Sequence, residues 1–358
     1  MTTTLITSTE PSRPGRQGGA RRPDARPNIA LRDALSIAGV WLLLVVATTI
    51  VRPDFLSTQT LLAITFTMSI SGVLAVAQAL VVISGGLLDL SLPVALVLSA
   101  WAAVAALTSG LPTWAAVILG ILAGAAWGSL NGLIVVFGKL NPIIVTLATG
   151  FGGLAVMLIF FKSAQIPSTS DLRLFGLGRF LGLPNVFWPM VALIVLTGLA
   201  LTYTRWGRHL VAVGGNPRAA RARGISLRRT RFFVFLGAGA IAGAAGVLFS
   251  AVNPSFTPAS GAGFQLIVIA AVILAGISLS GGKGNLLVLL LSVGFLATIP
   301  ASIAFFGLAP AWALVFQGAL LILAVGIDGY RLKRSARGPP PHCSTSERRR
   351  AGGARSTP

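Results

Sequence analysis

One cysteine, two histidines and eight carboxylates are spread over 358 residues, and each scarcity closes a class of chemistry. The lone Cys343 lies in a polar C-terminal stretch, which excludes an internal disulfide framework and a thiolate metal cluster. His209 sits among arginines, His342 in the tail, and the two glutamates, Glu10 and Glu347, in the terminal segments. A hydrolase or protease acting within a membrane needs paired aspartates, a serine with a histidine, or a His/Glu metal set at depth. No such set can be assembled, so the chain is expected to be neither an enzyme nor a metal protein, and to bind no cofactor itself. Asp89 is the one acid to weigh at depth. A carboxylate at the bilayer centre costs roughly 2.5 to 3.5 kcal/mol on insertion scales, and an ion relay draws on several of them. One acid at the end of a span disfavours an ion-coupled secondary carrier of a small polar solute, which stands as the alternative reading.

Apolar residues are abundant instead: 54% of the chain is hydrophobic, 10% is charged and the mean hydropathy is +0.85. That composition belongs to an all-α polytopic membrane protein. The net charge of +20 is not a nucleic-acid signature, because the basic groups stand between apolar windows rather than on one folded polar face. Apolar windows lie near 35–51, 59–83, 91–108, 112–137, 141–161, 185–204, 232–251, 264–280, 285–306 and 309–328, each long enough to cross about 30 Å as helix. About ten crossings (8–10) follow, with both termini on one side. If that side is the cytosol, 24 of the 28 lysines and arginines fall on cytosolic segments. The outer segments keep Arg52, Lys162, Arg173 and Arg179, which is the asymmetry of the positive-inside rule. Trp114, Trp188 and Trp312 then mark outer ends of spans, and Tyr203, Trp206 and Tyr330 inner ends, as interfacial aromatics do.

Residues 1–34 read as a disordered cytoplasmic tail, 35–330 as the membrane domain, and 331–358 as a second disordered tail whose arginines face lipid headgroups. The first window is too long for an ordinary signal-peptide core, and Arg21-Arg22 is followed by Pro-Asp-Ala rather than an apolar run, so an uncleaved span is expected. Between 84 and 90, Gly85-Gly86 and Asp89 interrupt apolar sequence, as in a broken or re-entrant helix. The outer stretch 162–184, with Pro167, Gly176, Gly178, Gly182 and Pro184, is irregular or carries a short surface helix. It is the candidate extracytoplasmic docking surface.

Gly120, Gly124, Gly128 and Gly132 recur every fourth residue, and Gly239 and Gly243 repeat the spacing. Such faces let a neighbouring backbone approach closely, within the monomer or at a subunit interface. Ser84-Gly85-Gly86 and Ser280-Gly281-Gly282 resemble each other, but both follow spans running in the same direction, so they are not inverted-repeat partners. Their likeness is treated as coincidence. Asp89 either caps the helix that begins near Ser91 or lines a polar passage. The other candidates for a passage are uncharged: Ser91, Asn131, Asn141, Thr146, Thr149 and Gln265. Each also suits a bond to a neighbouring helix.

The most informative segment runs from Arg205 to Arg231, where eight arginines and no carboxylate surround Gly214-Gly215-Asn216-Pro217-Arg218-Ala219-Ala220-Arg221-Ala222-Arg223-Gly224-Ile225. Asn216 suits an N-cap, Pro217 the first helical position and Gly224 the left-handed residue past the end. The helix so written, 217–223, is about 10 Å long and cannot cross a bilayer, so it lies on the membrane surface or in a partner.

Several segments in order, from about 35 to 330, resemble the inner-membrane permeases of ATP-binding-cassette importers, in the ribose or monosaccharide branch of the branched-chain amino acid/ribose-type family. Ser84-Gly85-Gly86-Leu87-Leu88-Asp89-Leu90-Ser91 resembles the family's Gly-Gly-Ile-Asp-Leu-Ser-Val-Gly segment, here one residue longer and with Pro93 replacing the last glycine. Asn131-Gly132 and Asn141-Pro142-Ile143-Ile144-Val145-Thr146-Leu147 are similar to its Asn-Gly and Asn-Pro-Phe-Ile-Val-Thr-Leu segments. Gly214-Gly215-Asn216 with Ala219-Ala220 and Gly224-Ile225 is similar to its cytoplasmic signature, and Ser280-Gly281-Gly282-Lys283-Gly284 to its late glycine-rich segment. Ala275-Gly276-Ile277 departs from the usual Gly-Gly-Thr.

The resemblance implies a type II-like importer permease in a bacterial inner membrane. It implies a second permease subunit, the same or related, an ATPase subunit that holds the ATP, and a periplasmic substrate-binding protein, besides the lipid bilayer. It also implies that Gly215, Asn216, Arg218, Ala219, Ala220, Arg221, Arg223 and Gly224 couple the permease to the ATPase. The solute implied is a small polar one of the monosaccharide type, for whose path Asp89, Ser91, Asn131, Asn141 and Thr146 stand as candidates by their polarity.

Overall fold

A long apolar segment in lipid satisfies its backbone by helical hydrogen bonding, and each of the ten apolar windows contains a helix, although the one at 264–280 is helical only to Leu274. The computed structural model describes residues 27–336 apart from Gly86 and Lys162. Cys343, His342, Glu10, Glu347 and most of both tails lie outside the described residues. In chain order the helices are α1 Pro27–Val51, α2 Thr58–Ile83, α3 Leu92–Thr108, α4 Thr113–Gly132 and α5 Pro142–Phe160. Then follow α6 Asp171–Leu177, α7 Phe187–Tyr203, α8 Arg205–Gly215, α9 Pro217–Ala222, α10 Leu227–Val252, α11 Phe264–Leu274, α12 Leu286–Phe305 and α13 Ala311–Ala336. A π-helical turn, Leu133–Phe137, prolongs α4.

Six of these, α1, α2, α4 with its continuation, α5, α10 and α12, are long and apolar enough to cross a bilayer unaided. Helix α7 joins them if counted with α8, from which it bends by 77°. Helices α3 and α11 and the apolar part of α13 are shorter. Three boundaries differ from the sequence reading. Helix α1 starts at Pro27, inside the segment 1–34 read as tail, and α13 runs on to Ala336, past the expected end at 330. The third is α8, a helix where only loop was expected.

Helix α2 is apolar all round, and 89% of its spanning window is buried against 6% for α1. It is the hub on which α10, α12, α11 and α7 pack. Helices α4 and α10 cross at their glycines. A Cβ on Gly124 would fall 2.6 Å from the Cα of Gly243, and one on Gly128 would fall 2.8 Å from the Cα of Gly239. The glycine spacing therefore serves packing within one chain. Helix α1 is fastened to α12 by Trp41, whose Nε1 donates to Thr298 Oγ1 at 2.9 Å and whose ring covers Gly294.

Loops expected on opposite sides of the membrane gather into two separate groups. In the outer set, Ala164–Gln165 pairs antiparallel with Ser255–Phe256, and Arg173 donates to the Ala251 carbonyl at 3.0 Å. The stretch 162–184 holds α6 and a hairpin of Arg179–Phe180 with Leu183–Pro184. In the inner set, the ends of α2 and α8 meet the loop that follows α11.

Candidate functional site

Two structures built by local sequence rules make up the site: a capped helix on the surface and a polar cluster behind it. Asn216 takes extended backbone, and its Oδ1 accepts from the Ala219 amide at 3.0 Å, while Pro217 fills the first turn where no amide partner is needed. The helix closes at Arg223, and Gly224 adopts φ +80°, the left-handed region that glycine enters freely. Arg218, Ala219, Arg221, Arg223 and Gly224 are exposed, as are Gly215 and Asn216, whereas Ala220 is 4% exposed and packs into its own chain. Ala219 and Ala222 are thus the small exposed residues of the helix. Helix α8 lies before it, burying Leu210, Val213 and Gly214 and exposing Arg205, Arg208 and His209. Its apolar-charged alternation was the signal that could have revealed it.

The break between α2 and α3 carries Asp89 into the interior, where it is 3% exposed. Asp89 Oδ1 accepts from the Ser91 amide at 2.9 Å and from Ser91 Oγ at 2.7 Å. Asn131 Nδ2, on α4, donates to Ser91 Oγ at 2.6 Å, and Thr149 Oγ1, on α5, donates to Asn131 Oδ1 at 2.7 Å. Thr146 Oγ1 accepts from the Leu90 amide at 3.0 Å. Asp89 thus caps the local turn and also anchors a chain of bonds across three helices. Gln78 of α2, fully buried, holds the backbone of Asp89 from behind, its Nε2 donating to Asp89 O at 2.9 Å and its Oε1 accepting from Asp89 N at 3.2 Å. Sequence reasoning missed Gln78, though a glutamine inside an apolar helix is itself a signal. Gln265 is not in the network; with Leu90, Gly150 and Phe151 it lines an adjacent cavity of about 100 Å³. Asn141 is exposed, and its Oδ1 caps α5 by accepting from the Ile143 amide at 2.9 Å.

Removing one member takes a hydrogen bond from each of its partners, at about 0.5 to 1.5 kcal/mol per bond. Asn131→Leu, which takes a bond from both Ser91 and Thr149, is expected to lower the detergent melting temperature more than Thr149→Val, and a thermal scan of the two variants checks the order. Equal melting for both would show that Asn131 does not bridge.

The two Ser-Gly-Gly segments are not a repeat, yet they converge. Gly282 donates to the Ile83 carbonyl at 2.8 Å, one residue before Ser84. Gly214 closes the same contact, since a Cβ there would overlap the Ile83 carbonyl oxygen and lie 2.6 Å from Gly282 N. Among the described residues no group of three or more His, Cys, Asp or Glu comes together to hold a metal.

Residues 60–325 match the family model described as branched-chain amino acid transport system / permease component. The chain belongs to that family. The ribose import permease protein RbsC of Bacillus subtilis (strain 168) is 32% identical over 289 residues, covering 80% of this permease and 89% of the relative. The L-arabinose transport system permease protein AraH of Escherichia coli (strain K12) is 31% identical over 305 residues, covering 84% and 92%. RbsC of the same organism is 30% identical over 305 residues, covering 83% and 94%. The permease is accordingly a multi-pass membrane subunit of the ribose-type ABC importer class. It is not an enzyme, and ATP hydrolysis belongs to a separate ATPase.

Proposed function

We propose that this permease passes a monosaccharide from an extracytoplasmic binding protein to the cytoplasm, driven through α9 by an ATPase, with both termini cytoplasmic. The observation that carries this reading is α9 itself: a helix capped at both ends, with Arg218, Ala219 and Arg221 turned outward. Such a rigid knob transmits displacement rather than absorbing it. Its arginines complement acidic groups on a partner. The ribose and arabinose permeases among its relatives favour a pentose. On the outer side, the seat for the binding protein is the hairpin after α6, where Phe180 and Leu181 are exposed and Leu181 holds φ +53° at the tip. The ion-coupled alternative is not favoured, because among the described residues Asp89 is the one buried carboxylate and it is engaged with Ser91.

Proteoliposomes containing the permease, its ATPase and its binding protein test the reading. Uptake of labelled ribose or arabinose is expected only with internal ATP and external binding protein. Uptake by the lone permease under a proton or sodium gradient would overturn it. A thermal shift of the binding protein against a panel of monosaccharides identifies the solute.

A further inference from the structure

The contact among Ile83, Gly214 and Gly282 is made of backbone alone, and it lies between the coupling helix and the polar network. Helix α8 ends at Gly214-Gly215, and Asn216 follows as the cap of α9, so these glycines adjoin α9 directly along the chain. Gly214 leaves no room for a side chain against the Ile83 carbonyl. Gly282, at φ +77°, presses on Gly215 so closely that a Cβ would lie 2.5 Å from the Gly215 Cα and N. The same Gly282 donates its amide to Ile83 at 2.8 Å. Beyond Ile83 the chain enters the break before α3, and that break is held to α2 by Gln78, to α4 by Asn131 and to α5 by Thr146.

We infer that Gly214 and Gly282 are positioning residues of coupled transport: with Ile83 they form a backbone clutch that passes the displacement of α9 to the 84–91 segment and its hydrogen-bonded helices. Side chains rotate to relieve a push, whereas backbones in van der Waals contact and joined by a hydrogen bond move together. The three segments are far apart in sequence, and Gly214 and Gly282 leave no room for a side chain at the contact. A role confined to packing would require neither the amide bond to Ile83 nor a position between α9 and Asp89. The clutch rests on the reading of α9 as the ATPase contact.

The test uses the reconstituted complex of permease, ATPase and binding protein. Gly282→Ala and Gly214→Ala are expected to co-purify with the ATPase and to keep its basal hydrolysis. Stimulation by solute-loaded binding protein should be lost, and solute moved per ATP should fall at least tenfold. Gly237→Ala, at a position with open space around it, controls for glycine replacement as such. Unchanged solute per ATP in both glycine variants overturns the clutch. Absence of any bound ATPase in the wild-type preparation would instead sink the reading of α9. Hydrogen exchange on the wild-type complex covers the case in which the variants do not assemble. Trapping the ATPase with ATP and vanadate should change exchange in 213–223, 278–285 and 83–91 together. A change confined to 213–223 overturns the inference.

Discussion

Ala219→Trp is expected to abolish ATP-driven uptake while the permease inserts and folds normally. Ala219 is exposed on α9, so the indole can extend into solvent, and it enlarges the small patch that a partner must approach. Truncation or blockage at the centre of an interface is worth about 2 kcal/mol or more, over tenfold in docking affinity. Co-purification of the ATPase, read beside the amount of permease in the membrane, checks it; an undiminished yield of ATPase with Ala219→Trp would remove α9 from the interface. Ala220→Trp is the wrong probe, because Ala220 is buried and the substitution would disturb α9 itself. Replacing Arg218, Arg221 and Arg223 by serine separates docking from lipid anchoring. Exposed charge pairs contribute up to about 1 kcal/mol each, so docking should weaken modestly and in a salt-dependent way.

Gly128→Leu is expected to destabilise the membrane domain strongly. Its Cβ would overlap the Phe235 carbonyl oxygen and press on Gly239, so α4 and α10 must separate along their shared crossing. Overpacking against side chains costs about 1 to 3 kcal/mol, and here the obstacle is main chain, so about 3 kcal/mol or more is expected. Gly237→Leu provides the comparison, since it lies on α10 with nothing within 4 Å of its Cβ position. Melting curves in detergent should place the first variant far below wild type and the second close to it. Equal melting temperatures would mean that the α4–α10 crossing does not hold the fold together.

Much of this was legible from residue order. The apolar windows mapped onto helices because helix is the way an isolated apolar segment satisfies its backbone in lipid. The α9 caps were legible because Asn216, Pro217 and Gly224 each act on neighbours within four residues. Helix α8 was hidden by its charge: a helix lying along a surface alternates Leu210 and Val213 with arginines and leaves no apolar run. Six of the helices are long enough to span alone, while α3 and α11 stop short.

Sequence by itself determined the class, the apolar helices, the charge asymmetry and the capped helix, because composition, periodicity and capping act over a few residues. It also named Asp89, Ser91, Asn131, Thr146 and Thr149 as polar candidates without showing that they bond to one another. Only the tertiary structure decided that grouping, the inward turn of Ala220, and the meeting of Gly214 and Gly282 at Ile83. Those depend on which helices become neighbours, and that is settled by the glycine crossing of α4 with α10 and by burial around α2, contacts between residues more than a hundred positions apart in several cases.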